Sequence, residues 1–416
     1  GLGTISYQWN RDDATINEAN SVSYQLTQDD IGSQITLEIS YIDSKGTAES
    51  LISDPTEMII SSSNSAINGV EFSLTGDNVI DALTNGYKWD LSSTRIVDWS
   101  ISSGYNGEYW ISPDEVFDQT NFAISLFSYY ADISFNYLGD FDTPRDAIAH
   151  GSEINFSMDG SGKFFSNDIG WARGFFPEPD NTDRGDIFLN VNSPANSLPS
   201  YEIGSAGFFL ILHELGHTLG LKHPHDDGGT GRPLFNDLGW TDYDSDFITI
   251  MSYGDDYNWN LTSWDPATPM FMDVLALQYL YGKSELIFAG DDNHSLAKNE
   301  FYATLWDPSG KDSITQIGAT EGWYISLPEI EPSELVNTKV GVAYPSAEVH
   351  LSSPTNLYWL MGDFENVDGS NYADLIYGNS FDNLIDGNDG EDTLDGGAGN
   401  DTLNGGAGAD TFLYTK

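Results

Sequence analysis

The chain of 416 residues carries 65 acidic against 15 basic side chains, a formal net charge of −50, with 13% aromatic residues and no cysteine. Such a surface repels nucleic-acid phosphates and excludes them as partners, and no apolar run approaches the length of a membrane span. The length allows two or three domains; with no disulfides to stiffen them, bound calcium is the expected source of rigidity.

Residues 1–60 read as a small all-β sandwich. Tyr7 and Trp9 alternate with polar neighbours, and Ile35, Leu37, Ile39 and Tyr41 repeat with the period two of a half-buried strand. Asp43-Ser-Lys-Gly46 reads as a hairpin turn and Ser61-Ser-Ser-Asn-Ser65 as a polar linker. No catalytic residue types cluster here, so a spacer or adhesion module is expected. Gly1-Leu-Gly reads as the inside of a domain, with no signal peptide, which implies a piece cut from a longer polypeptide.

From residue 66 the pattern changes. Asp77 caps a short helix carrying Val79, Ile80 and Leu83 on one face. Ser112-Pro-Asp-Glu115 is a capping box before a long helix with Val116, Phe117, Phe122, Leu126 and Phe127 inward. Ile133, Phe135 and Tyr137 alternate as a strand, Ile154 to Met158 form another, and Gly185-Asp186-Ile187-Phe188-Leu189-Asn190 is a third. A helix begins near Ser205 and buries Phe208, Ile211, Leu212, Leu215 and Leu219.

On that helix His213-Glu-Leu-Gly-His217 places two imidazoles one turn apart on one face. Gly220 can end the helix in a left-handed turn and bring in His223. Three neutral imidazoles plus a water make a catalytic zinc site with an open position. Glu214 points off the metal axis and is placed to take a proton from that water. His150, His225, His294 and His350 are read as non-ligands. Thr268-Pro269 opens a further helix, on which Asp273 either buttresses the zinc region or is simply solvated.

The long motif, with His223-Pro224 and Met251-Ser-Tyr253, resembles the metzincin metalloproteases and, within them, the serralysins. Leu83-Thr-Asn-Gly-Tyr-Lys-Trp89 and Leu277-Gln-Tyr-Leu-Tyr-Gly282 resemble the same family, over residues 66–416. The resemblance implies that Met251 lies in a tight turn beneath zinc and that Tyr253 ligates the ion and swings away to hold the transition state. It also implies that Gly185 to Asn190 is a sheet edge on which substrate lies; an unpaired edge binds an extended peptide by strand addition. The strands of residues 1–60 resemble bacterial immunoglobulin-like repeats.

Residues 284–368 read as short strands and turns. Trp306-Asp-Pro-Ser-Gly-Lys-Asp312 resembles a calcium loop of that family, with Asp307 and Asp312 as ligands; Ser309 and Lys311 depart from the pattern, and Lys311 adds an unwelcome positive charge. Five nine-residue units then run from Gly369 to Leu413. Asp374, Asn383, Asp392, Asp401 and Asp410 hold the sixth place; Ile376, Ile385, Leu394, Leu403 and Phe412 hold the eighth. This is the calcium β-roll repeat of RTX proteins. Gly387, Gly396, Gly397, Gly399, Gly405, Gly406 and Gly408 permit the tight turns and leave carbonyls for calcium, the aspartates add charged oxygens, and the eighth residue fills the core. Asn383 lacks the charge, so its turn should bind weakly.

The reading is an immunoglobulin-like sandwich (1–60), an α+β metzincin catalytic domain (66–283), and a β-rich domain (284–416) with a calcium-binding parallel β-roll over 369–413. The expected function is a secreted zinc-dependent endopeptidase acting on proteins or peptides, monomeric, stabilised by calcium, and exported by a route without a signal peptide. A calcium-dependent adhesive fragment with a vestigial metal site is the alternative.

Overall fold

The computed structural model describes residues 5–53, 55–56, 67–104, 113–159, 172–190, 201–253, 265–346 and 356–414, less positions 13, 18, 25, 28–29, 31–32, 43–47, 286, 299–300 and 317. The turn at 43–46, the linker at 61–65, the capping residue Ser112 and His350 lie outside the described residues. The chain forms two compact units, Gly1–Ser65 and Ala66–Lys416.

In the first unit β1 (Ser6–Arg11), β2 (Ala14–Thr15), β3 (Ile35–Ile42) and β4 (Ala48–Ile52) form one antiparallel sheet in the order β2-β1-β3-β4. The period-two segment at 35–41 is the central strand β3. Among the described residues this unit has a single sheet rather than two facing layers. Asp30 is fully buried; it accepts hydrogen bonds from Arg11 Nη2 at 2.6 Å and from the Thr27 amide at 2.6 Å.

The second unit begins with β5 (Gly69–Glu71), α1 (Asn78–Leu83) and β6 (Tyr87–Trp89). Asp77 caps α1 by accepting the amides of Val79 and Ile80 at 2.9 and 3.2 Å. Then follow β7 (Ile96–Ser102), α2 (Pro113–Tyr130), β8 (Ser134–Phe141), α3 (Pro144–Ala149), β9 (Ile154–Asp159), β10 (Ala172–Gly174) and β11 (Asp186–Asn190). Strands β7 to β11 make a five-stranded sheet in the order β10-β11-β9-β7-β8, parallel except for β10. Strands β9 and β11 are buried along their whole length, as interior strands of a parallel sheet are.

This order corrects one expectation. Asp186–Asn190 is not a sheet edge: Ala172–Gly174 pairs antiparallel along its outer side. Among the described residues the outermost strand on this side is β10.

Two helices run through the core of this unit. In α4 (Ala206–Thr218) every residue is buried, and Ser205 Oγ accepts the Phe208 amide at 3.3 Å. The second, α5 (Phe271–Tyr281), starts two residues later than the Thr268-Pro269 signal suggests and is also almost wholly buried. Helices buried on nearly every side lie inside a core rather than on its surface. One buried cluster runs from Trp99 and Phe156 through Leu212, Leu215 and Leu275 to Trp306 and Leu357.

The rest of the unit is β12 (Asn293–Ser295), β13 (Tyr302–Asp307), β14 (Ser313–Thr315), β15 (Trp323–Ile330), β16 (Val340–Pro345), β17 (Leu357–Gly362), β18 (Asn366–Asp368), β19 (Leu375–Tyr377), β20 (Leu384–Asp386), β21 (Thr393–Asp395), β22 (Thr402–Asn404) and β23 (Thr411–Leu413). They form a five-stranded sheet, β12-β14-β18-β20-β22, and a seven-stranded one, β13-β17-β16-β15-β19-β21-β23. Successive nonapeptides alternate between these sheets and pair in parallel with the unit two repeats away. The eighth-place residues Ile376, Ile385 and Leu394 are fully buried in a second core with Ile314, Ile325 and Leu360. Leu403 is partly buried and Phe412 is 54% exposed, so the apolar filling thins along the stack. No helix among the described residues is long and apolar enough to cross a membrane.

Candidate active site

The geometry of the site follows from how α4 ends. Gly220 has φ +97°, and a Cβ there would run into the Tyr87 carbonyl, so only glycine fits the turn. The chain folds back and brings His223 to the face carrying His213 and His217. The Nε2 atoms of His213 and His217 each lie 3.0 Å from His223 Nε2. His213 Nδ1 donates to the Ile250 carbonyl at 2.6 Å and His217 Nδ1 to the Leu221 carbonyl at 2.8 Å. Those bonds commit the Nδ1 protons, so the two Nε2 atoms present lone pairs to one point.

The donor set suits a divalent cation. Burial, reinforced by the neighbouring imidazoles, drives His213 and His223 well below the ordinary histidine range, and burial brings His217 to about 4. All three rings are therefore neutral near pH 7, the form that binds zinc. A four-coordinate zinc ion holds nitrogens roughly 3.3–3.4 Å apart at ~2.0–2.1 Å bond lengths, so the rings need spread only slightly. Tyr253 Oη stands 2.8 Å from His223 Nε2 on the same side.

Beneath the cluster, Met251 is fully buried, and its Sδ lies 2.6 Å from where a Cβ on Gly216 would be. Asp273 holds this turn. It is fully buried and accepts Thr249 Oγ1 at 2.6 Å, the Ile250 amide at 2.7 Å and the Met270 amide at 2.9 Å. It is a buttress, not a solvated carboxylate: Ile250, whose N–H it accepts, is also the residue whose carbonyl orients His213.

Glu214 is 5% exposed, and its Oε2 accepts the Gly174 amide from strand β10. Burial pushes its carboxyl up to about 8, against the pull of that amide and of the Arg173 charge. A cleft of about 450 Å³ opens here, walled by Ala172, Arg173, Phe176, Glu214, His223 and Tyr253. His225 lies outside the three-imidazole cluster. It stacks on His223 at 5.2 Å, and its Nδ1 lies 3.1 Å from Asp244 Oδ2.

Ile187, Phe188 and Leu189 lie in the strand behind the edge, fully buried with Asp186 and Asn190, and Gly185 precedes them at φ +74°. In the roll, Asp392 and Asp410 each accept through Oδ1 a backbone N–H from the preceding coil: Asp374 donates its N–H to Asp392 Oδ1 at 2.8 Å, and Asp392 donates its own to Asp410 Oδ1 at 3.2 Å. Asn383 donates likewise to Asp401 Oδ1 at 3.0 Å. Asn383 also ties its turn to the preceding coil, donating from Nδ2 to the Glu365 carbonyl at 2.9 Å. Gly387, Gly396 and Gly405 each lie against the aspartate of their own repeat, Asp392, Asp401 and Asp410. Gly397, Gly399, Gly406 and Gly408 all carry positive φ. At Gly406 a Cβ would enter the Asn388 carbonyl one coil away.

Asp307 and Asp312 come together, and His294 joins them. Their ligand atoms lie within 4.8 Å of one another, with all three residues buried. Lys311 is exposed, so its charge stands outside the cluster. His150 is exposed, its Nδ1 bound to the Asp146 carbonyl.

Residues 368–403 and 377–412 match the RTX calcium-binding nonapeptide repeat, so calcium binding by the roll follows from its sequence. The chain is 26% identical over 305 residues to a serralysin of Photorhabdus laumondii, covering 66% of this chain and 60% of that one. It is 31% identical to serralysin G of Dickeya chrysanthemi, over 62% of this chain and 52% of that one. A serralysin of Proteus mirabilis is 31% identical over 34% of this chain and 31% of its own length. The chain thus spans between 31% and 60% of the length of these curated relatives. With that similarity, the repeats at 368–412 and the cleft geometry together, the chain is a homologue of the serralysins that carries RTX calcium-binding repeats.

Proposed function

We propose that the chain is the catalytic and calcium-binding part of a secreted zinc endopeptidase. The observation that carries this is the convergence of His213, His217 and His223 with two Nδ1 protons already committed to carbonyls. His213, His217 and His223 would hold the zinc, with Tyr253 within reach as a fourth ligand. Bound zinc supplies a water of near-neutral pKa and a Lewis acid for the scissile carbonyl.

Glu214 accepts the proton of the attacking water at its free carboxylate oxygen and passes it to the leaving amine. The Gly174 amide keeps the other oxygen turned to the strand. The Tyr253 hydroxyl donates a hydrogen bond to the developing oxyanion. An extended peptide would lie along Ala172–Gly174, the outermost described strand beside the cleft, held by its backbone rather than by a sequence. This replaces Gly185–Asn190 as the substrate strand.

In the same reading residues 66–283 are a metzincin catalytic domain, 284–416 a β-domain closed by the roll, and 1–60 an immunoglobulin-like spacer. Protein substrates and a monomeric state go with it. Casein cleavage by the zinc-loaded chain, abolished by o-phenanthroline and restored by zinc, is the test. A folded, zinc-loaded protein that cuts neither casein nor unstructured peptides would overturn the proposal.

A further inference from the structure

The second buried cluster joins three segments. His294 comes from β12, Asp307 from the end of β13, and Asp312 from the loop before β14. Asp307 and Asp312 are fully buried and His294 is 7% exposed. His294 Nε2 lies 2.7 Å from Asp307 Oδ2. One oxygen of each carboxylate is taken by a backbone amide: Ser309 N–H to Asp307 Oδ1 at 3.3 Å, and Asp292 N–H to Asp312 Oδ1 at 2.7 Å. The second oxygen of Asp312 is buried and meets no donor among the described residues.

A buried carboxylate oxygen without a donor is costly, and a cation beside it removes that cost. Proton transfer to His294 does not meet the need. An imidazolium would satisfy Asp307, and Asp312 would still face a second carboxylate. The surroundings add negative charge, since the Asp312 amide is bound by Glu365 and the Lys311 amide by Asp291. A divalent ion bridging all three side chains balances the two charges in one place.

The imidazole decides which ion. Calcium takes six to eight oxygens, whereas an imidazole with two carboxylates suits zinc, manganese or iron. Phe288 and Phe364 pack edge-on against the His294 ring at 4.8 and 5.6 Å and fix its plane. We propose that His294, Asp307 and Asp312 form a second, structural site for a divalent transition-metal ion, in place of the calcium site that the loop sequence alone suggests. The ion would pin β12, β13 and the 308–312 loop together beside the second core.

The test counts metal in the full chain, loaded with zinc, desalted in calcium buffer and measured by mass spectrometry. Two zinc ions per chain are expected. His294→Ala and Asp312→Asn should each leave one, with casein cleavage retained if the first site is catalytic. His294→Asp, which supplies only oxygens, should lose the zinc and gain one calcium. Should these variants fail to fold, anomalous diffraction of the unaltered chain at the zinc edge should place a peak among the three side chains. One zinc in the unaltered chain that His294→Ala leaves in place, two in His294→Ala, or a peak that responds only to calcium would each overturn the proposal. His213→Ala should remove the other zinc and leave this one, so a first site that binds no zinc is told apart from failure of the second.

Discussion

Gly174 donates its backbone N–H to Glu214 Oε2, tying the outer strand of the sheet to the carboxylate on the zinc-motif helix 40 residues away. A Cβ on Gly174 would stand 2.5 Å from the Glu214 carbonyl oxygen and 3.2 Å from its Oε2. Gly174→Ala should therefore displace the base while leaving the imidazoles in place. A fall in kcat/KM of roughly 10–100-fold is expected, since misplacement by about 1 Å can cost that much. Zinc content by mass spectrometry should not change.

Glu214→Gln keeps the volume of the side chain and removes the proton acceptor. Turnover of casein should fall ~10²–10⁴-fold, the usual worth of a positioned acid–base group. Zinc should stay bound at one equivalent in the His213 site. Normal cleavage by this variant would remove Glu214 from the mechanism.

Tyr253→Phe removes the hydroxyl that lies 2.8 Å from His223 Nε2. A loss of ~10²-fold in kcat with little change in KM is expected if the hydroxyl binds the oxyanion, as for other single donors at such sites. Unchanged kcat would leave Tyr253 a packing residue.

Asp273→Ala would strand three buried donors, the Thr249 hydroxyl and the Ile250 and Met270 amides. Each orphaned buried donor costs ~1–3 kcal/mol, so the variant should lose on the order of 3 kcal/mol or more in urea unfolding. It should also bind zinc more weakly, because Ile250, which Asp273 holds by its N–H, orients His213 through its carbonyl. A loss of stability with unaltered zinc affinity would separate the two roles.

Calcium removal should reverse the pH response of the roll. Burial, helped by the nearby Asp392 charge, pushes the Asp374 carboxyl up to about 6, against the Trp323 and Ser370 donors that favour its ionised form. An acid whose pKa rises on folding is stabilised while protonated; that contribution is present below the ordinary value of about 4 and lost as pH rises through about 6. Melts of the calcium-free chain should therefore show a lower Tm at pH 7.5 than at pH 5, with a smaller difference in Asp374→Asn. With calcium present the ionised carboxylate is the useful form, and Tm should rise over the same interval. Equal slopes with and without calcium would contradict this.

Local spacing made much of the molecule legible. His213, Glu214 and His217 lie within about one turn of one helix, with Gly220 just past its end, so local geometry alone fixes which side chains share a face. The nine-residue period put Ile376, Ile385 and Leu394 in the roll core, because each repeat can bury its apolar residue only against its neighbours. Asp77 and Ser205 were readable as caps for the same local reason.

Pairings between distant segments were not legible in this way. That Asp186–Asn190 lies inside the sheet depends on Ala172–Gly174 reaching across to it. No periodicity in either segment encodes that partner. His294 looked solitary because its two carboxylates come from the next strand and the loop beyond it.

The sequence by itself determined the imidazole motif, the acidic calcium-binding repeats and the caps of the helices, since these rest on neighbours fixed by the chain. Only the tertiary structure decided which strand borders the cleft, that Asp273 holds the turn under the metal motif, and that His294 meets Asp307 and Asp312. Those depend on burial and hydrogen-bond partners supplied by segments far along the chain, and a side chain's chemistry changes when such a partner removes it from water.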